Sequence, residues 1–331
     1  MDVIRWAVVG TGYIAGQFAK GMQEVKDAVL QAVVSRNLEN GKTYAGKYGG
    51  RQVYTDFHEM LEKEKIDVLY IAVPNDCHFA YIMEALDHGI AVLSEKPMVD
   101  NREQLRKVRE KAAEKDVFLM EGMWTRCFPV VIQARKWLEQ GKIGKPLTIR
   151  ASFDIKPAME EWQPWKGGKR HAAGALRDVG IYSLGMASMV FPEGPEEIYT
   201  VMKSNGEVDE SFHMLLDYGN GRAGFLSGAF NQISTSTAEI TGEDGRILIG
   251  PEFWHPREAV LLRNDGSREE CKDLYTSTGF QYEIQEVQKC IREGRKESQR
   301  YTLKETEEIA EIIEQTRKKW NIFYDSDKQE G

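Results

Sequence analysis

Ile4-Arg5-Trp6-Ala7-Val8-Val9-Gly10-Thr11-Gly12-Tyr13-Ile14-Ala15 is the stretch that decides the fold. A strand-like apolar run enters a Gly-x-Gly-x-x-Ala turn, and the turn opens an amphipathic helical segment over 13–24. Gly10 permits the tight turn, Gly12 lets backbone amides approach a pyrophosphate without a Cβ, and small Ala15 allows close helix–strand packing. The helix N-terminus adds unpaired N–H groups and a positive partial charge for an anion. A glycine-rich turn alone can serve geometry only; placed between a strand and a helix, it reads as a dinucleotide-binding turn with Thr11, Tyr13 and Ile14 beside it.

Outward from that turn, short apolar runs at 28–35, 68–73, 91–94 and 117–120 continue the series begun at 3–9. Helical patterns at 38–48, 57–64, 77–87 and 102–114 alternate with them. Such alternation predicts a parallel sheet covered on both faces, and runs such as Val68-Leu69-Tyr70-Ile71-Ala72-Val73 fit burial from both sides. Beyond 121 the rhythm changes. A helix over 128–140 precedes a strand over 147–154, a tryptophan-rich stretch holds Trp162 and Trp165, and a helix spans about 175–190. From 196 to 263 short strands are separated by turns such as Tyr218-Gly219-Asn220-Gly221 and Glu243-Asp244-Gly245, with Asn264-Asp265-Gly266 after them. Helices over 280–293 and 303–320 follow, and the polar residues 326–331 are expected to fray. The fold class is α/β: a Rossmann dinucleotide-binding domain over 1–121 joined to an α+β domain over 122–331 with a large, mostly antiparallel open sheet. A length of 331 residues suits two domains.

Composition removes other classes. The chain is 41% hydrophobic and 29% charged, as globular proteins are. Its net charge of −8 argues against a nucleic-acid binder. No apolar run of roughly 18 residues offers a membrane span. Residues 1–5 lead directly into a strand without signal-peptide architecture. Cys77, Cys127, Cys271 and Cys290 are dispersed, as in reduced cytoplasmic proteins. The six histidines are equally scattered, and His58-Glu59 lacks the second His of a zinc-protease motif, so no protein-ligated metal is expected.

The second strand ends Val34-Ser35-Arg36. An NAD site usually places an acidic residue here for the ribose hydroxyls. Ser35 and the Arg36 guanidinium suit a 2′-phosphate instead, with Lys42 adding charge, so NADP is expected over NAD. Two further segments carry chemistry. Ser94-Glu95-Lys96-Pro97 lies at the carboxyl end of a parallel strand, where open α/β sheets bind ligands. Gly174-Ala175-Leu176-Arg177-Asp178-Val179-Gly180-Ile181-Tyr182 sets Asp178 and Tyr182 one helical turn apart.

Together, the turn at 10–15, Glu95-Lys96-Pro97 and the Gly-x-x-x-Asp-x-Gly-x-Tyr helix resemble the Gfo/Idh/MocA oxidoreductase family over essentially the whole chain. Tyr182, where inositol-type members carry His, is similar to the branch of glucose–fructose oxidoreductase, dimeric dihydrodiol dehydrogenase and NADP-dependent D-xylose dehydrogenase. The resemblance implies a nicotinamide-dependent oxidoreductase acting on a sugar or cyclic trans-diol. It also implies a loop beside the nicotinamide ribose containing Pro74, Asn75 and His78, and a cis Lys96–Pro97 bond. Trp124, Phe153, Trp254 and Phe280 fall in segments that supply an apolar substrate wall in such relatives. Oxidising an alcohol needs a base for the hydroxyl proton. Tyr182, a phenol with an ordinary pKa near 10, needs a cation such as Lys96 to serve, and Asp178 can accept a substrate hydroxyl or orient Lys96. Which of Tyr182 and Lys96 transfers the proton stays open. Arg177 departs from the apolar residue that precedes this Asp in relatives, which bears on the polarity of the substrate pocket. Relatives assemble through the open sheet, so a homodimer or higher oligomer is expected. Trp162 and Trp165 suit a lid or a dimer contact, and His171 a charged surface. The alternative is a non-catalytic NADP-binding sensor; the joint retention of Lys96, Asp178 and Tyr182 favours the enzyme.

Overall fold

The computed structural model describes residues 3–156 and 168–330; Trp162 and Trp165 lie outside the described residues. The chain forms two compact units, Met1–Gly122 with Tyr275–Leu303, and Met123–Leu274 with Lys304–Gly331.

In the first unit, strands and helices alternate: β1 (Ile4–Val9), α1 (Tyr13–Met22), β2 (Ala28–Val34), α2 (Leu38–Tyr48), β3 (Gln52–Tyr54), α3 (Phe57–Lys63), β4 (Val68–Ile71), α4 (Asn75–Asp87), β5 (Ala91–Glu95), α5 (Arg102–Lys115) and β6 (Leu119–Gly122). The strand order is β3-β2-β1-β4-β5-β6, with every pair parallel. All four residues of β4 are buried, as a strand covered on both faces requires. Side-chain caps fix the helix starts: Asn37 accepts from Asn40 N at 3.0 Å, Asp56 from Glu59 N at 2.8 Å, and Asn101 from Gln104 N at 2.9 Å. The edge strand β3 escaped the sequence reading, because three residues are too short to show a period.

The second unit opens with a 3₁₀ turn at Trp124–Cys127, then α6 (Pro129–Glu139), β7 (Pro146–Asp154), α7 (Ile181–Val190), β8 (Glu197–Ser204), β9 (Asp209–Asp217), β10 (Ala223–Ala229), β11 (Ala238–Gly242), β12 (Gly245–Ile249), β13 (Glu258–Arg263) and β14 (Arg268–Lys272). Among the described residues these strands make one eight-stranded sheet, β14-β13-β12-β11-β7-β10-β9-β8. Only β7 and β10 run parallel; the remaining neighbours are antiparallel. The α6 and α7 helices cover one face. On the other, a cross-strand row joins Tyr199, Leu215, Phe225 and Arg150, with Tyr199 56% and Phe225 42% exposed. The alternation expected over 225–230 holds from exposed Phe225 and buried Leu226 to Gly228 and then ends, because Ala229 and Phe230 are both buried.

The chain then returns to the first unit for α8 (Phe280–Arg292) and enters α9 (Leu303–Lys319). A single crossing near 121 therefore does not describe the chain: residues 275–303 belong with the first sheet. The physical reason is the packing of α8 on α1, so close that a Cβ on Gly21 would sit 2.8 Å from Phe280 Cβ. Of the residues 326–331 expected to fray, 326–330 are corrected, and Gly331 lies outside the described residues. A 3₁₀ helix covers Asp325–Glu330, and Arg317 binds Asp327 through two hydrogen bonds of 2.6 and 2.7 Å. Among the described residues no helix is long and apolar enough to cross a membrane.

Candidate active site

The first unit supplies an anion cradle. Gly10 has φ +102°, and a Cβ there would lie 2.3 Å from Ala72 O, so only glycine lets β1 turn this close to the end of β4. Around Gly12, by contrast, there is open space within 4 Å, and Tyr13 and Ile14 are exposed. The α1 N-terminus thus presents backbone amides beside an uncrowded surface, which fits a pyrophosphate. Ala15 is fully buried and its carbonyl accepts from Tyr44 Oη at 2.5 Å. At the end of β2, the Ser35 and Thr11 hydroxyls lie 3.3 Å apart, which joins the glycine turn to the end of β2. Arg36 is exposed there, and its charge reaches the Cys77 thiol and the Tyr81 phenol on α4. Lys42 pairs with Glu39 at 3.0 Å, so its charge is matched within α2.

Lys96 follows β5, and its peptide bond to Pro97 is cis. Two side chains grip this segment. Glu95 accepts from Lys96 N at 3.3 Å and from Tyr70 Oη at 2.5 Å, while Glu121 accepts from Met98 N at 2.7 Å. Burial pushes the Glu95 carboxyl up, and Tyr70 and Lys96 pull it back. On α8, the fully buried Glu283 is pushed well above the usual carboxylate range by burial and by the charge of Glu95. Pro74 caps α4 and Asn75 opens it, so the expected loop of Pro74, Asn75 and His78 is corrected to the cap and first turn of a helix. His78 lies in that turn. It is fully buried, with Nδ1 3.0 Å from Pro97 O and Nε2 2.9 Å from Val73 O. It ties the end of β4 to the Lys96–Pro97 turn. Phe280 is likewise no wall of the second domain: it is 4% exposed in the first unit's core, edge-on to Phe18 with centroids 6.0 Å apart.

The second unit sets Phe153 beside Tyr182 and links the remaining aromatics to Phe153 ring by ring. Phe153 lies 5.5 Å from the Tyr182 ring and stacks on Trp254 at 3.6 Å and 6°. Trp124 reaches the same segment through His255, at 5.9 Å, and Thr125 Oγ1 donates to Trp254 O at 2.6 Å. Stacked rings of this kind present apolar faces suited to C–H surfaces. Asp178 is half-buried. It sits in a π-helical turn, Leu176–Gly180, that precedes α7, so the single α-helix expected from 175 is corrected to a wide turn and then a helix. At its entry Asp209 accepts from Leu176 N at 2.6 Å, and a Cβ on Gly174, at φ +140°, would lie 2.3 Å from Asp209 Oδ1. Burial pushes the Asp209 carboxyl up to about 6. Arg177 is 3% exposed, and its guanidinium lies over the Tyr324 ring at 5.2 Å.

Tyr70, Glu121, Asp209, Glu283 and Tyr324 escaped the sequence reading. Each lies far along the chain from what it holds, and a lone buried acid or phenol leaves no periodic signal. Among the described residues no group of three or more His, Cys, Asp or Glu could hold a metal ion.

Comparison with known proteins joins the two halves. Residues 4–123 match the profile of an oxidoreductase family with an NAD-binding Rossmann fold, and residues 131–248 match the Gfo/Idh/MocA C-terminal domain. Over 98% of this chain and 99% of the relative, it is 32% identical to trans-1,2-dihydrobenzene-1,2-diol dehydrogenase of Mus musculus. The fold is shared with a levoglucosan dehydrogenase solved with NADH and levoglucosan (TM-score 0.86, 19% identity, 96% and 98% of the two chains). It is shared also with a 3-ketoreductase from Actinomadura kijaniata solved with TDP-benzene and NADP (TM-score 0.78, 24% identity, 93% and 95%). With both profiles matched in order and a relative aligned from end to end, the chain belongs to the Gfo/Idh/MocA family of NAD(P)-binding oxidoreductases.

Proposed function

We propose that the protein is an NADP-preferring dehydrogenase or reductase acting on a CH–OH group of a sugar or a cyclic trans-diol. The observation that carries this reading is the surrounding of Tyr182: a phenol beside the Phe153–Trp254 stack, preceded in the chain by the Asp178 turn. Stacked rings receive the C–H face of a sugar or a cyclohexadiene diol, and Asp178 accepts a hydrogen bond from a neighbouring hydroxyl. The end-to-end likeness to a trans-diol dehydrogenase supports the same substrate class.

The first unit binds the cofactor and the second binds substrate and assembles the oligomer. The turn from Gly10 to Ala15 holds the pyrophosphate, Ser35 and Arg36 the 2′-phosphate, and Pro74, Asn75, Glu95 and Lys96 the nicotinamide end. When bound, the nicotinamide supplies the hydride acceptor or donor. Lys96 and Tyr182 form the proton relay: the ammonium favours the phenolate, and the pair takes the hydroxyl proton in oxidation and returns it in reduction. Trp124, Phe153 and Trp254 shape the apolar wall. A second copy covers the face carrying Tyr199, Phe225 and Val201, which is 65% exposed. The dispersed thiols suit the cytoplasm.

The test is a panel of aldoses and trans-diols with NADP and NAD, followed by nicotinamide absorbance. Lys96→Ala and Tyr182→Phe should each lower kcat about 10²–10⁴-fold on the best substrate; near-normal turnover by either removes the relay. Arg36→Ala should weaken NADP and leave NAD unchanged, and a wild-type preference for NAD contradicts the assignment. Light scattering that finds a monomer refutes the dimer.

A further inference from the structure

The π-helical turn Leu176–Gly180 is an unusual way to start a helix, since such turns are rare and recur at functional sites. Arg177 within it is 3% exposed, an expensive place for a guanidinium unless a partner receives it. The receiving ring comes from the segment that follows α9. Tyr324 is 1% exposed and lies close to two cations, with the Arg177 guanidinium 5.2 Å and the Arg317 guanidinium 4.7 Å from its centroid. Its hydroxyl donates to Ala173 O at 3.2 Å, just ahead of the turn. The segment is itself anchored. Arg317 donates twice to Asp327 and once to Ile322 O at 3.3 Å, Tyr324 N donates to Asp327 Oδ2 at 2.8 Å, and Ile322 packs with Tyr324 against Ala172 and Val208.

We propose that the segment Ile322–Asp327 is a strap that positions the turn carrying Asp178 and leading to Tyr182, with Tyr324 and Arg177 as its positioning residues. The turn is held at its entry from two sides: Asp209 grips Leu176 N, and Tyr324 grips Ala173 O and the Arg177 head. Arg177 therefore serves to lock the turn and does not set the polarity of a substrate pocket, which accounts for an arginine at this position. The catalytic consequence rests on the function proposed above; the mechanical one does not.

Tyr324→Ala, Tyr324→Phe and Arg177→Gln, each in the full chain, separate the two. Hydrogen exchange read by mass spectrometry on peptides covering 173–182 should accelerate at least tenfold in Tyr324→Ala and in Arg177→Gln. It should rise less in Tyr324→Phe than in either of these, because that variant loses the hydroxyl's hold on Ala173 O and keeps the ring beside both cations. Arg177→Gln leaves the Arg317–Asp327 anchor in place, so amides of 322–327 should stay protected; this variant decides the matter where Tyr324→Ala does not fold. On the best panel substrate, kcat should fall about 10–100-fold in the two loosened variants, with the KM for NADP unchanged. Unchanged exchange over 173–182 in Arg177→Gln overturns the strap. Faster exchange in a protein whose wild type turns over no panel substrate leaves the strap standing and refutes the proposed function instead.

Discussion

His78→Phe separates two roles for one residue. A histidine facing the nicotinamide ribose would, on replacement, change cofactor affinity and leave the fold alone. The structure makes it a buried clamp between Val73 O and Pro97 O, at 2.9 and 3.0 Å. Phenylalanine fills the space of the imidazole, so the cavity contribution is small, and what remains is the loss of the ring N–H from between two carbonyls, a single donor in a neutral imidazole. At about 1–3 kcal/mol for one lost donor, the melting temperature of a domain this size should fall by roughly 3–10 °C. Because one of those carbonyls belongs to Pro97, the turn that carries Lys96 loosens as well, and kcat should fall by more than the NADP Kd rises. Differential scanning calorimetry with fluorescence titration of NADP measures both. A melting temperature within about 2 °C of wild type, accompanied by a large rise in Kd, refutes the clamp and restores the residue to the cofactor site.

Gly10→Ala forces a Cβ to within 2.3 Å of Ala72 O at φ +102°. Strain of about 1–3 kcal/mol should weaken NADP roughly 10–100-fold by calorimetric titration, and an unchanged Kd would dismiss the cradle. Gly21→Ala places a Cβ 2.8 Å from both Gln281 N and Phe280 Cβ, and should cost about 1–3 kcal/mol in urea unfolding by prising α8 from α1. Asp209, pushed by burial from 3.8 up to about 6, binds its proton more tightly in the folded state. Its contribution to stability is therefore full below about pH 4, and up to about 3 kcal/mol is lost as pH rises through 6. Urea midpoints of the second unit should fall over that range, and Asp209→Asn should lose this slope whatever its absolute stability; a variant with the same slope as wild type rules the titration out.

The sequence by itself determined the first sheet, its short edge strand β3 apart, and its glycine turn, because both are written in local patterns. Buried parallel strands are apolar without interruption, as β4 is, and a glycine that must turn against Ala72 O tolerates no other residue. The hairpin turns of the second unit were legible for the same reason, and Lys96, Asp178 and Tyr182 drew notice because they stand in compact motifs. Tertiary structure alone decided what each of those motifs leans on. Whether His78 faces outward or inward depends on carbonyls at Val73 and Pro97, and no pattern near residue 78 announces the second of them. Phe280 and the rest of α8 read equally well as part of either domain until α1 is seen to receive them at Gly21. Arg177 looked like a polar intrusion into a pocket until Tyr324, brought from the far end of the chain, was found beneath it. Periodicity encodes which side of an element is buried; it does not encode which distant element does the burying, and that partner is what turns a side chain into a clamp, an anchor or a site.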